Sequence, residues 1–228
     1  MEPAMIAKLI LQTLLYIAGM GALLFVAAGT WRWPAAWVFL AAMAALGLGS
    51  GVWLAKTDPA LLAERMRPMM QDAQPAADKK FMLAFGVAAL VWFVAIGLDK
   101  RFDESDVPTA FQALGLAMLA ASTAYIMWVM RENSFAAPVV KVQAERGHRV
   151  IDTGPYAHVR HPMYSGTVLF FFGMPLLLGS WWGVVLAPLF VVLFAIRTGI
   201  EERALLAGLP GYADYTARVR YRLAPGIW

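Results

Sequence analysis

Cysteine is absent, so the chain has neither a disulfide framework nor a thiolate metal site. Charge is scarce: 15% of the 228 residues are Asp, Glu, Lys or Arg, against roughly 25% in ordinary soluble domains. Histidine occurs only three times, at His148, His158 and His161. No internal repeat is visible. What abounds is apolar: 61% of the residues are hydrophobic and 13% aromatic, nine tryptophans among them. Such a composition excludes a disordered chain and a soluble basic nucleic-acid binder. A soluble globular enzyme is disfavoured as well, because the apolar residues fall in long runs.

Crossing a ~30 Å hydrocarbon core takes about 20 apolar residues in a helix. Runs of that kind extend over residues 9–29, 34–55, 81–98 and 109–130. A further run, 163–196, is long enough for two helices broken at Gly179-Ser180. Its halves, each about 16 residues, are short for a span and predict either a crossing of a thin bilayer or a shallow hairpin. The first run is too long for the core of a signal peptide, and Glu2 spoils the basic start such a peptide needs, so it is expected to stay as a helix. The expected fold is an all-α integral membrane protein of about five to six transmembrane helices, with an N-terminal hairpin over 1–56 and a polar connection over 57–80. A short helix is predicted around residues 60–65.

The basic residues fall unevenly about these runs. Sixteen of the nineteen Lys and Arg lie on the side that carries the 56–80, 131–160 and C-terminal segments. Only Arg32, Lys100 and Arg101 fall on the other. The richer side is therefore predicted to face the cytoplasm, in a multi-pass protein of the cell membrane. Trp31, Trp33 and Trp37, and Trp181 and Trp182, cluster at the opposite turns, where an interfacial aromatic belt is expected. The loop 99–108 is expected outside. Gly19, Gly21, Gly47, Gly49 and Gly51 are predicted to let the first two helices pack closely.

Residues capable of chemistry concentrate between Arg131 and Tyr164 and after Ile196. The three histidines share the first segment with the rigid turn Thr153-Gly154-Pro155-Tyr156 and with Pro162. Gly and Pro fix a backbone path, and an irregular path at membrane depth lines a cavity, because lipid cannot satisfy free amides. Three readings compete: a metal or haem site, a basic patch for anionic headgroups, and a cofactor pocket closed by the tail. The metal reading lacks ligands, since no His lies outside the segment and Pro162 takes His161 out of helical register. The tail favours the pocket. Arg197 and Glu201 stand four apart and share a helix face, and ionisable groups at a membrane boundary point to function. Gly208-Leu209-Pro210-Gly211 then forces a turn, and residues 212–221 predict a short amphipathic helix that lies along the interface as a lid.

At these residues the chain resembles the isoprenylcysteine carboxyl methyltransferase and phospholipid methyltransferase superfamily of integral-membrane methyltransferases. The resemblance is carried by Gly154-Pro155-Tyr156, by Arg160-His161-Pro162-Met163-Tyr164-Ser165-Gly166 and, after an apolar hairpin, by Glu201-Glu202-Arg203-Ala204-Leu205. Tyr212-x-x-Tyr215 and Arg222-Leu223-Ala224-Pro225 complete it. It covers roughly 81–228, which then form the methyltransferase core: cofactor loop 131–164, hairpin 163–198 and lid 199–228.

The resemblance implies a methyl donor, S-adenosylmethionine, held by Gln143, His148, Arg149, Val150, Ile151, Tyr156, His161, Pro162, Met163, Tyr164 and Glu201. It aligns Arg197 with a substrate-side arginine. The residue chemistry agrees. Carboxylate and tyrosine oxygens suit ribose and ammonium groups, and aromatic faces attract a sulfonium. A carboxylate acceptor could be oriented by Arg197, and an amine acceptor wants a base, for which Glu202 or a histidine is the candidate. The expectation is a methyltransferase for a lipophilic acceptor, with membrane lipid and not nucleic acid as its surroundings. O-methylation of an isoprenylcysteine-like carboxylate, N-methylation of an amino-phospholipid, and a non-catalytic transporter or lipid-binding protein on the same scaffold stay open.

Overall fold

The structure, a computed structural model, describes residues 3–228; Glu2 lies outside them. Eight α-helices follow in chain order: α1 (Pro3–Ala28), α2 (Pro34–Thr57), α3 (Pro59–Arg65), α4 (Ala76–Phe102), α5 (Thr109–Glu132), α6 (Pro162–Leu178), α7 (Trp181–Gly208) and α8 (Tyr212–Arg218). No strand forms among the described residues. Prolines set several starts, since the missing N–H falls where a helix has no partner for it: Pro34, Pro59 and Pro162 each open a helix. Asp58 caps α3, accepting from the Leu61 N–H at 2.9 Å, and Ser180 caps α7 through the Gly183 N–H at 3.0 Å.

Five helices, α1, α2, α4, α5 and α7, are long and apolar enough to cross a membrane. The shortest has 24 residues, or about 36 Å at 1.5 Å per residue. Leu15, Val26, Val87 and Val185 stay exposed on their outer faces. Helices that are apolar all round suit lipid as solvent, and the chain is a multi-pass membrane protein.

The 163–196 run departs from its expected symmetry. α6 has 17 residues and α7 has 28, because the helical pattern of α7 continues past the apolar run through Arg197, Glu201 and Glu202. Nor is the hairpin shallow. The Ser180 hydroxyl at its turn donates to Asp99 Oδ2 at the end of α4, and Ser105 Oγ donates to the same oxygen at 2.7 Å. The Trp181 N–H donates to Ser105 Oγ at 3.0 Å and its indole N–H to the Asp106 carbonyl at 3.2 Å. The hairpin therefore runs the full thickness of the bundle. Asp99, expected in a loop, is helical and buried.

α6 lies between α5 and α7, and α4 bridges α7 to α1. An aromatic cluster fills the centre: Trp92 and Phe190 rings stand 4.4 Å apart, and Phe171 lies 4.8 Å from Phe190. The close helix crossing is where α5 meets α6. A Cβ on Gly115 would come within 2.5 Å of the Gly173 carbonyl oxygen, and one on Gly173 within 2.8 Å of the Gly115 oxygen. Of the glycines expected to pack α1 on α2, Gly51 and Gly21 meet Leu9 and Leu40 closely, while Gly19 and Gly49 face open space. Trp33 is not interfacial; it is buried in the core, whereas Trp31, Trp37, Trp181 and Trp182 remain exposed.

Candidate functional site

The segment between α5 and α6 has only two short 3-10 turns, Ala144–Arg146 and Gly154–Ala157. Its path is held by specific contacts. Gly154 takes a φ of +55°, and a Cβ there would lie 2.6 Å from Glu132 Cγ; no other residue type fits both demands. Beside it Thr153 Oγ1 donates to Glu132 Oε2 at 3.0 Å. Tyr156 is held at both ends: its hydroxyl accepts from Asn133 Nδ2, and its carbonyl accepts from the Tyr215 hydroxyl, each at 2.8 Å. The tail returns alongside the histidine motif, where the Arg160 and His161 N–H groups donate to the carbonyls of Tyr221 and Arg222, each at 2.9 Å.

The two adjacent glutamates of α7 face different neighbours. Glu201 Oε2 accepts from the Tyr164 hydroxyl at 2.6 Å and lies 3.4 Å from His161 Nδ1. Glu202 pairs with Arg160 Nε at 3.1 Å and Arg222 Nε at 2.9 Å, and stands 3.4 Å from His161 Nε2. The imidazole is thus bracketed by two carboxylates and stacked on Tyr164 at an interplanar angle of 2°. Burial works against its cation, but the two carboxylates outweigh it and hold its pKa above the ordinary 6.5.

A raised histidine pKa stabilises the fold fully below 6.5, and that contribution is lost as pH rises through the folded value. The groups facing the ring are Glu201, Glu202, Arg160, Arg222 and Tyr164. Thermal stability of the wild type is therefore expected to fall as pH rises above 6.5, and His161→Gln to lack that slope. Equal slopes would show that the ring is neutral.

Loop, α7 and α8 line a cleft whose empty space, open solvent included, is about 780 Å³. His148, Arg149, Val150, Ile151, Tyr156, His161, Met163, Tyr164 and Glu201 are all in its wall. The His148 ring stacks on Phe135, centroids 4.5 Å apart, and burial lowers its pKa. Sequence reasoning missed Phe135, which lacks any motif, and gave no site role to Leu205, read as the end of the Glu201 motif, or to Leu209, read as part of a turn. α8 ends at Arg218, earlier than expected. It turns Tyr212 and Tyr215 into the cleft wall, and burial raises both phenols. The Tyr212 hydroxyl is buried and has no hydrogen-bond partner among the described residues.

Four residues singled out from sequence stand outside the wall. Gln143 is fully buried in the loop, donating to the Phe135 carbonyl at 2.8 Å. Pro162 serves as the first residue of α6. Glu202 is occupied by Arg160 and Arg222. Arg197 is buried against Asp78, Nε to Oδ1 3.0 Å, and donates to the Pro138 carbonyl at 2.6 Å. Asp78 also accepts from Gln74 Nε2 at 2.7 Å and the Val140 N–H at 2.9 Å. In sequence Asp78 is one acid in a mixed-charge connection, with nothing to mark it from Asp72. His158 is exposed. Of the loop cations, Arg160 and Lys141 are paired with Glu202 and Glu64, which leaves less of a headgroup-binding patch than sequence suggested.

No curated protein matches the chain. Residues 110–209, from the start of α5 to the turn after α7, match the model of a family described as phospholipid methyltransferase. That family is one of the integral-membrane methyltransferase superfamily that unites the phospholipid and the isoprenylcysteine carboxyl methyltransferases, and the match covers the segment from α5 through α7.

Proposed function

We propose that the protein is an S-adenosylmethionine-dependent methyltransferase for a lipophilic acceptor, its donor cleft being the one between the loop, α7 and α8. One observation carries this. The wall of one cleft combines Glu201, Tyr212 and the flat His148–Phe135 stack. These match the parts of the donor in turn. Val150, Ile151 and the stacked rings suit adenine, while Glu201 and Tyr212 suit ribose hydroxyls or the ammonium group. Tyrosine faces suit the sulfonium. When bound, the donor supplies a methyl group whose bond to sulfur breaks as the acceptor's bond to carbon forms.

The chain's own part is alignment and exclusion of water. Tyr164 and His161 fix Glu201, the tail holds the histidine motif, and α8 covers the cleft. Arg197 acts as a positioning residue, tying α7 to the loop at Pro138 and lying over the Tyr164 ring, 5.7 Å from its centroid. The distribution of Lys and Arg supports a cleft that faces the cytoplasm. A second reading, N-methylation of an amino-phospholipid, is favoured by the family description. It needs a base, and Glu202, held by two arginines, is poorly placed to be one.

Calorimetric titration of the purified protein with S-adenosylhomocysteine tests the proposal. Saturable binding at micromolar ligand is expected, and folded protein that binds none at millimolar ligand overturns it.

A further inference from the structure

Beyond α8 the chain curls into a small ring. The N–H groups of Arg222, Leu223 and Ala224 all donate to the Trp228 main-chain oxygen, at 2.9, 3.0 and 3.1 Å. Three successive N–H groups converging on one oxygen form a nest. The Arg222 guanidinium lies over the Trp228 ring, 5.2 Å from its centroid, while its Nε reaches Glu202. Glu202 in turn stands beside His161, a residue of the donor cleft wall. α8 has seven residues, too few to persist as a helix unaided. It carries Tyr212 and Tyr215 in the cleft wall, and this tail is what fixes its far end.

α6 sets the depth of the ring. The Leu223 carbonyl accepts from Ser165 Oγ at 2.5 Å, in the first turn of that helix. α6 crosses the full bundle with 17 residues, which span about 25 Å against a hydrocarbon core of ~30 Å. So short a crossing cannot lift its first turn clear of the bilayer, and the ring is held at headgroup level. Its outer edge is apolar: Ile227 is 86% exposed and Trp228 40%. Just before it, Arg218 is paired with Asp152, whereas exposed Arg220 forms no salt bridge among the described residues. An apolar edge beside an unpaired cation suits an anionic leaflet.

We infer that the 222–228 ring is seated in the headgroup layer of an anionic bilayer, and that this seat holds α8 and the tail closed over the donor cleft. Affinity for the donor then depends on the lipid around the ring. That dependence rests on the donor reading above; the seat itself does not.

Full-length protein in nanodiscs of phosphatidylcholine, alone or mixed with phosphatidylglycerol, tests both halves. The chain has no cysteine, so Ile227→Cys takes a single nitrobenzoxadiazole label. A lipid spin-labelled at its headgroup should quench that label strongly, and should quench far less the same label on Asp72→Cys, in the exposed connection before α4. Quenching no stronger at the first position than at the second overturns the seat. In calorimetry, S-adenosylhomocysteine should bind about fivefold more tightly in the phosphatidylglycerol discs, the effect of one cation at an anionic surface. Arg220→Gln and Trp228→Ala should each remove most of that gain, and Trp228→Phe should keep it. If Trp228→Ala does not fold, Ile227→Asp decides, since that side chain is almost wholly exposed. Equal affinity in both discs, or an undiminished gain in Ile227→Asp, overturns the coupling. Quenching at Ile227→Cys in a protein that ignores S-adenosylhomocysteine would remove the donor reading and leave the seat standing.

Discussion

Asp78→Ala is expected to destabilise the protein by about 3–5 kcal/mol, the usual cost of stranding one member of a buried ion pair. Asp78 is fully buried, and its carboxylate has three protein partners, Arg197, Gln74 and the Val140 N–H. Its loss leaves the Arg197 guanidinium among α4, α7 and the loop with the Pro138 carbonyl as its remaining hydrogen-bond acceptor. It also frees the loop at Val140, next to Val139 and Lys141 in the cleft wall. Thermal unfolding followed by circular dichroism measures the first effect and S-adenosylhomocysteine titration the second. The double variant Asp78→Leu with Arg197→Met should recover much of the stability, because a buried pair exchanged for apolar groups of similar size is often neutral. It should not recover the affinity, since the Val140 N–H still lacks its acceptor. An Asp78→Ala protein as stable as wild type would show that the pair holds nothing together.

The second large effect concerns Glu201. Glu201→Gln should weaken S-adenosylhomocysteine binding by roughly 10- to 100-fold, since hydrogen bonds to a charged group contribute about 1.5–3 kcal/mol and each tenfold in affinity is about 1.4 kcal/mol. Its neighbour provides the control. Glu202→Gln removes no residue of the cleft wall, and strips Arg222 and the wall residue Arg160 of their shared carboxylate. It should therefore lower thermal stability more than affinity. Adjacent residues on a helix point about 100° apart, so one side chain reaches the cleft and the other the returning tail. Equal losses of affinity in both variants would place Glu202 in the donor site as well.

Much of this was legible along the chain. Hydropathy located α1, α2, α4 and α5 as membrane-length helices, because a span must bury a continuous stretch of some 20 residues in hydrocarbon, but it gave only the apolar first part of α7, whose length comes from the polar turns that follow. Gly154-Pro155, Pro162 and Gly179-Ser180 marked the turns that occur. The cleft-wall residues His148 to Ile151, His161, Met163 and Tyr164 were named from the resemblance that the Arg160–Gly166 motif carries, while the histidines and charges between Arg131 and Tyr164 marked only the segment.

Partnerships across the fold were not legible. Arg197 read as the companion of Glu201 because four residues make one helix face. The face is shared, but a guanidinium reaches far enough to choose among neighbours, and Asp78, 119 residues away, is the one it meets. Gln143 read as a ligand contact and instead braces its own loop. Trp33 read as interfacial and is core.

Sequence by itself determined that the chain is a membrane helix bundle with one polar, histidine-bearing loop beside a carboxylate-bearing helix end. Those properties follow from composition and from periodicities that lipid imposes on each segment separately. Only the tertiary structure decided which charges are spent on one another and which are left over. It committed Arg197 and Glu202 to internal pairs, and it left the Tyr212 hydroxyl without a hydrogen-bond partner among the described residues. Charge compensation is a matter of distances of a few ångströms between segments far apart in the chain, and spacing along a sequence carries no record of those distances.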